Sequence, residues 1–302
     1  MIVVLQGGHP SEAEISRITS KAFQESLERL GKEFKVLEYD EDTAQNLKKL
    51  NPTCCLLALH GTDAEDGVVQ GLLEHLKIPY TGSGILASSL SFDKEASKVF
   101  AKSLGVPVLP SFALKTTDVD KNIEDEVQKW SDGFVIKPVA SGSSRGVGLF
   151  NSGDSLKPGL EEALKWSEKA LVEKRVQGRE LTVGVFKDKT YEPIEIKPKQ
   201  GFYDLKNKYT KGATEYLIPA PINSGLREKI QKEALVIFNA FGLLTYGRVD
   251  FLVSYDESKH YFMEVNTLPG ATPTSLLPMA LEHGGVSFDE MVSVLIDRAL
   301  SN

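Results

Sequence analysis

Cysteine is scarce in this sequence: its 302 residues include two, Cys54 and Cys55, which are adjacent. Neighbouring cysteines are poorly placed for a low-strain disulfide, so this usage favours a reducing compartment. No run of about 18 apolar residues occurs, and the apolar run at residues 1–5 is too short for a signal peptide. We therefore expect a cytoplasmic protein that does not associate with a membrane.

Basic residues are fewer than acidic ones, since 35 Lys and Arg against 42 Asp and Glu give a formal net charge of −7. With no run of five or more basic residues, this balance argues against nucleic acid as a partner. Two nucleotide-binding signatures are also absent: Gly-x-Gly-x-x-Gly after the first predicted strand, and the Walker A pattern. The charged (25%) and apolar (41%) fractions are those of a globular protein, whose length predicts two or three domains.

The first third of the sequence alternates predicted strands with segments of helical apolar spacing. Residues 2–5, 34–39 and 53–60 are the predicted strands, which indicates an α/β domain with a Rossmann-like parallel sheet. Short strands follow in the middle third, and the last third holds a long predicted helix and a hairpin. We expect three lobes that share a cleft, with the boundaries 1–93, 94–185 and 186–302.

The strongest chemical signal is that predicted hairpin, whose strands alternate polar and apolar residues. Because side chains alternate along a strand, Arg248 and Asp250 share one face of the first strand. Glu264 and Asn266 likewise share one face of the second, and the alternating apolar residues Met263 and Val265 should face the core. Asp250 lies beside them only if the connecting loop has an odd length of three or five residues.

This pairing would bring two carboxylates and an amide oxygen together, and these hard ligands suit Mg²⁺ bound to phosphate oxygens. Arg248 would lie beside them, where it could stabilise charge that develops during phosphoryl or acyl transfer. The alternative is a solvated hairpin face whose charges have no common role.

A glycine- and serine-rich loop, residues 141–148, follows the apolar strand that ends near Lys137. Glycines let the backbone approach an anion, and successive N–H groups with serine hydroxyls can bind phosphate. Lys137 would reach the same phosphates as a point charge. A flexible turn is the alternative, but the acidic hairpin elsewhere in the chain favours phosphate binding.

Two further residues stand where strands end. Glu12 lies at a strand–loop–helix junction, where a carboxylate can simply compensate the helix dipole. His60 ends the third predicted strand, at the edge where α/β sheets bind ligands. Neither residue identifies a site by itself.

Taken together, these motifs resemble the D-alanine–D-alanine ligase family of the ATP-grasp superfamily, from Val4 to about Ala299. Each motif is weak alone, but their number and order make chance similarity improbable. The resemblance rests on Gly7-Gly8…Glu12, His60-Gly61…Glu65-Asp66-Gly67, Ile78-Pro79-Tyr80-Thr81-Gly82, Asp93-Lys94, Lys137-Pro138…Gly142-Ser143-Ser144, Phe202-Tyr203-Asp204…Lys208-Tyr209, Gly247-Arg248-Val249-Asp250 and Glu264-Val265-Asn266-Thr267-Leu268-Pro269-Gly270.

The resemblance implies an ATP-grasp fold and an ADP-forming ligase that joins two D-alanine molecules for peptidoglycan precursor synthesis. ATP would be the cosubstrate and two Mg²⁺ ions, or Mn²⁺, the metals, and relatives imply a homodimer. The implied catalytic residues are Glu12, Ser143, Tyr209, Arg248 and Gly270. The implied substrate-binding residues are His60, Ser275 and Leu276. The implied ATP-binding residues are Lys94, Lys137, Ser144, Glu173, Lys174, Arg175, Val176, Glu180 and Lys208, and the implied metal ligands are Asp250, Glu264 and Asn266.

The sequence departs from the family pattern in the glycine-rich loop. Relatives usually carry an acidic residue at the position of Ser141 and a small apolar one at the position of Arg145. Tyr209 follows the family pattern and favours dipeptide formation, because the depsipeptide-forming branch typically lacks a tyrosine there. Two alternatives stay open: an ATP-grasp ligase for a different amino or hydroxy acid, and a non-catalytic ATP-binding regulator.

Overall fold

The computed structural model describes residues 1–199, 201, 207, 210 and 212–301. Its N-terminal part is a parallel sheet in the order β2–β1–β3, which confirms the predicted parallel sheet. The central strand β1 and its neighbour β3 are short, buried and almost wholly apolar, as expected for strands covered on both faces, whereas the edge strand β2 is partly exposed. These elements are β1 (Ile2–Gly7), α1 (Ala13–Arg29), β2 (Phe34–Tyr39), α2 (Thr43–Leu50), β3 (Cys54–Leu57) and α3 (Val68–Leu76).

The middle of the chain forms an antiparallel sheet in the order β4–β7–β5–β6. Phe134, Ile136 and Trp130 are buried beneath it, against the helices that follow β4 and β6. These elements are β4 (Ser111–Leu114), a 3₁₀ turn (Thr116–Asp118), α6 (Lys121–Gln128), β5 (Phe134–Pro138), β6 (Gly148–Phe150), α7 (Lys157–Ala163) and β7 (Ala170–Lys174). Two helices precede them, α4 (Ile85–Phe92) and α5 (Lys94–Ser103), and both pack on the third sheet.

The third sheet has the order β11–β10–β8–β12–β13, with β9 beside β8. Residues 178–186 pair along their length with β12, so the expected lobe boundary after residue 185 falls inside a strand of this sheet. A boundary before Gly178 fits the sheet arrangement better. The elements are β8 (Gly178–Phe186), β9 (Lys189–Thr190), β10 (Ile194–Pro198), β11 (Thr214–Leu217), α8 (Ser224–Ala240), β12 (Tyr246–Ser254), β13 (His260–Asn266), α9 (Leu276–His283) and α10 (Phe288–Ser301).

The β12–β13 hairpin pairs Asp250 with Glu264, which confirms the predicted neighbourhood. The strand bounds leave five residues between the two strands, but the loop alone does not set the pairing. Phe251 pairs with Phe262, so Met263 is the extra residue of a β-bulge that changes the register next to Asp250. The expectation that Met263 faces the core is therefore wrong: it is half-buried and lines the central cavity.

Helix α5 connects the third sheet to the glycine-rich loop. The Asp93 carboxylate caps this helix by accepting a hydrogen bond of 2.8 Å from the Ala96 N–H. The next residue, Lys94, donates its backbone N–H to the carbonyl oxygen of Val139 at 3.0 Å. The cap therefore fixes the start of the helix beside the loop that follows β5. No helix in the part of the chain that the structure describes is long and apolar enough to cross a membrane.

We expect Asp93→Ala to lower the free energy of unfolding by about 1 kcal/mol, because it removes the side-chain acceptor at the start of α5. Urea unfolding followed by circular dichroism measures the change. Asp93→Asn is the matched control, since asparagine caps helices equally well. Equal stability of the alanine and asparagine variants would contradict the capping role.

Candidate active site

Asp250 is the centre of a hydrogen-bonded group that joins three neighbouring strands. Arg248 donates two hydrogen bonds of 2.9 Å to its carboxylate, and Asn266 donates one of 3.1 Å through its side-chain amide. The hydroxyl of Thr182 on β8 donates a further hydrogen bond. Asp250 is 5% exposed, so its charge is satisfied by these neighbours rather than by water.

The donor set of this face fits a hard divalent cation. Asn266 uses its amide N–H groups toward Asp250, which leaves its carbonyl oxygen as a ligand, and Glu264 is partly exposed beside it. Carboxylate and amide oxygens are the ligands that Mg²⁺ prefers. The described residues contain no cluster of three or more His, Cys, Asp or Glu side chains that could hold a metal, and the predicted set consists of two carboxylates and one amide.

Lys94 lies between this face and the glycine-rich loop. Its ammonium group donates a hydrogen bond of 2.7 Å to the carbonyl oxygen of Ser141 and lies 3.7 Å from a carboxylate oxygen of Glu264. Lys94 is the first residue of α5, and the helix cap at Asp93 sets its position. A positive charge at this position can contact an anionic group that is bound either to the polar face of the β12–β13 hairpin or to the glycine-rich loop.

Lys137 and Glu173, predicted from the resemblance to contact phosphate and adenine respectively, form a buried ion pair. The Lys137 ammonium lies 3.1 Å from one Glu173 carboxylate oxygen, and the Lys98 ammonium contacts the other. Burial by itself would raise the pKa of Glu173, but the two lysines hold that pKa below its ordinary value. Burial, with the nearby Lys137 charge, lowers the pKa of Lys98 despite the carboxylate.

Sequence reasoning missed Lys98. The signal was available, because Lys98 follows Lys94 by four residues on the same helix and therefore points to the same side of it. Lys98 is 3% exposed, and a buried lysine needs a partner. Its partner Glu173 lies on β7 of the middle sheet, 75 residues further along the chain, and nothing in the local sequence identifies that contact.

Glu12 does more than compensate a helix dipole. It is the N-cap residue of α1, yet its side chain makes no capping hydrogen bond, and the residue as a whole is 3% exposed. The Ser143 hydroxyl donates a hydrogen bond of 3.0 Å to it across the cavity, from 131 residues away in sequence. Gly61 leaves room for the carboxylate, since a Cβ there would lie 2.8 Å from the Glu12 Cγ.

The glycine-rich loop is an ordered structure rather than a featureless turn. Ser143 and Ser144 adopt positive φ angles of 54° and 56°, which are uncommon for residues other than glycine. The surrounding contacts must hold such a backbone in place.

His60 lies near the same end of the cavity, where its ring nitrogen is 2.9 Å from the Thr19 hydroxyl.

One cavity of about 1510 Å³ joins these features. Every predicted site residue in the described part of the chain lines it except Asp250, which lies beneath Arg248 and Asn266. Lys208 and Tyr209 lie outside the described residues. The lining residues predicted from the sequence are Glu12, His60, Lys94, Lys137, Ser143, Ser144, Glu173, Lys174, Arg175, Val176, Glu180, Arg248, Glu264, Asn266, Gly270, Ser275 and Leu276.

Comparison with known proteins gives consistent matches over the whole chain. Residues 31–83 match the family model described as D-ala D-ala ligase N-terminus, and residues 100–297 match D-ala D-ala ligase C-terminus. The chain is 42% identical to the D-alanine--D-alanine ligase of Syntrophotalea carbinolica, covering 99% of this chain and 95% of that one. It is also 42% identical to the enzyme of Aquifex aeolicus, with coverage of 98% and 99%.

A solved structure also matches. The D-alanine--D-alanine ligase from Bacillus anthracis complexed with ATP is similar with a TM-score of 0.86 and 30% sequence identity. The match covers 99% of this chain and 97% of that chain. The similarity therefore extends over all three sheets and the cavity between them.

We expect Glu173→Gln to destabilise the protein by about 3–5 kcal/mol at pH 7, because it leaves two buried lysine charges without a counterion. Urea unfolding at several pH values measures this. Because the folded-state pKa of Glu173 is lowered, the wild-type advantage should be constant above pH 4.5, the ordinary pKa of glutamate, and decline below it. Glu126→Gln, which breaks an exposed pair with Lys129, is the control and should leave stability unchanged. Equal effects of the two substitutions would contradict the buried-pair account.

Proposed function

This chain belongs to the D-alanine–D-alanine ligase family, and we propose that it joins two D-alanine molecules to a dipeptide with conversion of ATP to ADP and phosphate. The reaction proceeds through an acyl phosphate of the first D-alanine. Its product would supply peptidoglycan precursor synthesis.

The observation that carries this proposal is the meeting of three kinds of site in one cavity. Glu12 provides a buried carboxylate suited to an ammonium group, and Ser143 holds it from the opposite side. Lys94 and Lys137 supply cations suited to phosphate. The face formed by Glu264 and its neighbours supplies oxygen ligands. An amino acid and a nucleotide phosphate could therefore bind side by side.

The nucleotide would lie between the middle sheet and the third sheet. Residues 173–176 of β7 and the segment after it line this part of the cavity, and Glu180 follows on β8 as the proposed ribose contact. Lys137 points to the same region from β5. The resident ion pair with Glu173 orients the Lys137 side chain, while phosphate oxygens would take its remaining hydrogen-bonding capacity.

Asp250, Glu264 and Asn266 would hold two divalent cations, which neutralise phosphate charge when bound. Arg248 is kept rigid by its two hydrogen bonds to Asp250, so its guanidinium is already oriented before substrate binds. The fixed orientation matters because a charge that develops on the substrate is best stabilised by groups that need not rearrange.

In the proposed reaction, Glu12 binds the ammonium group of the first D-alanine. A carboxylate oxygen of this D-alanine attacks the γ-phosphorus, and the bond from that phosphorus to the leaving ADP breaks. The amine of the second D-alanine, bound near Ser275 and Leu276, then attacks the acyl carbon and phosphate leaves. Arg248 and the Gly270 N–H stabilise the oxyanion that forms in this step.

Water must be excluded while the acyl phosphate exists, since it hydrolyses. The glycine-rich loop covers the Glu12 end of the cavity through Ser143 and is the proposed lid there. We extend the proposal to a homodimer, as the sequence resemblance implies, and to a cytoplasmic location, which the scarcity of cysteine favours.

The direct test is phosphate release from Mg·ATP across a panel of D- and L-amino acids and D-lactate, with mass analysis of products. We expect release with D-alanine and a dialanine mass. Release with another acceptor and not with D-alanine would assign a different substrate within the same mechanism. No release across the panel, by folded protein that binds ATP, would favour the non-catalytic alternative.

We expect Asp250→Asn to reduce turnover by about 10²- to 10³-fold, because it weakens the proposed metal site and frees Arg248 from its fixed orientation. Steady-state phosphate release measures the effect. Asp256→Asn is the matched control: this aspartate lies in the exposed loop of the same hairpin, where serine hydroxyls and a backbone N–H lower its pKa to about 2. Wild-type turnover by the Asp250 variant would contradict the assignment.

A further inference from the structure

Arg145 of the glycine-rich loop occupies one side of the Glu12 carboxylate. Its Nε lies 3.4 Å from Glu12 Oε1, while the Ser143 hydroxyl takes Oε2. Its Nη2 also donates a hydrogen bond to the carbonyl oxygen of Ser11. The Arg145 and Glu12 side chains are 20% and 4% exposed, so the ion pair is largely removed from water.

The guanidinium of Arg145 also lies over an aromatic ring. The Arg145 Cζ lies 5.4 Å from the ring centroid of Trp166, which is within the range of a cation–π interaction. Gly146 allows this approach, because a Cβ at that position would lie 2.7 Å from Trp166 Cδ1. The loop therefore holds the Arg145 side chain between Trp166 and the N-terminal end of α1.

We propose that Arg145 is a resident competitor for the ammonium subsite at Glu12 and thereby sets the affinity for the first amino acid. The inference rests on the proposed function, in which the substrate ammonium binds this same carboxylate. A buried carboxylate needs a positive partner, and Arg145 supplies it when no substrate is bound. The ammonium group competes with the guanidinium for Oε1, because both are cations that donate hydrogen bonds to the same oxygen.

The same contacts keep the loop closed before substrate arrives. Ser143 and Ser144 have left-handed backbone conformations, which persist only where neighbouring contacts hold them. Arg145 is the next residue after Ser144, and its side chain contacts Glu12, Ser11 and Trp166. Displacement from Glu12 leaves the guanidinium its contacts with the Ser11 carbonyl and Trp166, so the loop remains anchored during binding.

The decisive variant is Arg145→Met, which keeps an unbranched side chain against Trp166 but removes the charge. We expect D-alanine to bind the first site about tenfold more tightly, measured by calorimetry with Mg²⁺ and a non-hydrolysable ATP analogue and by the first-site KM. Arg145→Lys retains the charge and should stay near wild-type affinity. Arg17→Met is the control. Arg17 lies on α1, the helix that begins after Glu12, and forms an exposed ion pair with Glu38 on β2, so its substitution should change neither value.

Weaker or unchanged D-alanine binding by Arg145→Met overturns the proposal, since the guanidinium would then support the substrate site or be irrelevant to it. Equal affinities of the methionine and lysine variants likewise overturn it, because packing rather than charge would be responsible.

Amide hydrogen exchange of the ligand-free protein gives a readout that does not depend on activity. We expect residues 142–146 to exchange about tenfold faster in Arg145→Met than in the wild type, and unaltered exchange overturns the closed-loop part of the proposal. If no variant releases phosphate with D-alanine while another amino acid is turned over, the proposed substrate is wrong. The same binding series with that amino acid then tests Arg145.

Discussion

The arrangement of the site depends on the hydrogen bonds that the Asp250 carboxylate accepts beneath the cavity. Arg248 and Asn266 can face the cavity in fixed orientations because each is hydrogen-bonded to this carboxylate, and Thr182 connects it to the neighbouring strand. The β-bulge at Met263 supplies the register that makes the pairing of Asp250 with Glu264 available. A single buried charge thus determines which groups of three strands can act on one ligand.

The cavity is assembled from parts that would have little chemical meaning alone. Glu12 lies at the start of the first helix, the glycine-rich loop lies between β5 and β6, and the polar hairpin face lies in the third sheet. Contacts between the parts are charged and largely buried, as in the pair of Arg145 with Glu12. Such pairs contribute little net stability when they are intact. Removing one partner, however, strongly lowers the free energy of unfolding, because it leaves the other charge buried and unpaired. The pairs therefore favour the one arrangement of the sheets in which both partners meet.

The buried charges on the proposed nucleotide side of the cavity follow the same principle. Lys98, Lys137 and Glu173 form a buried group in which one carboxylate compensates two ammonium groups. The excess of one positive charge suits a site for an anionic ligand, because phosphate would complete the compensation that the protein leaves unfinished. The same excess of positive charge would therefore affect both the stability of the protein and the proposed binding of phosphate.

Local sequence was sufficient for features that repeat over short distances. The parallel sheet and the alternation that puts Arg248 and Asp250 on one strand face both follow from backbone periodicity. The resemblance of ordered motifs identified the family. The exact pairing of the hairpin was less accessible, since a bulge shifts the register by one residue without a distinctive local pattern.

The partners of the buried charges depend on the tertiary structure. Lys98 contacts Glu173 across 75 residues and Arg145 contacts Glu12 across 133. No spacing rule connects residues so far apart, because their approach depends on how whole sheets pack. Local sequence sets which chemical groups the chain carries and on which strands and helices they lie. Packing determined which of these groups lost contact with water, and that loss made their mutual compensation necessary.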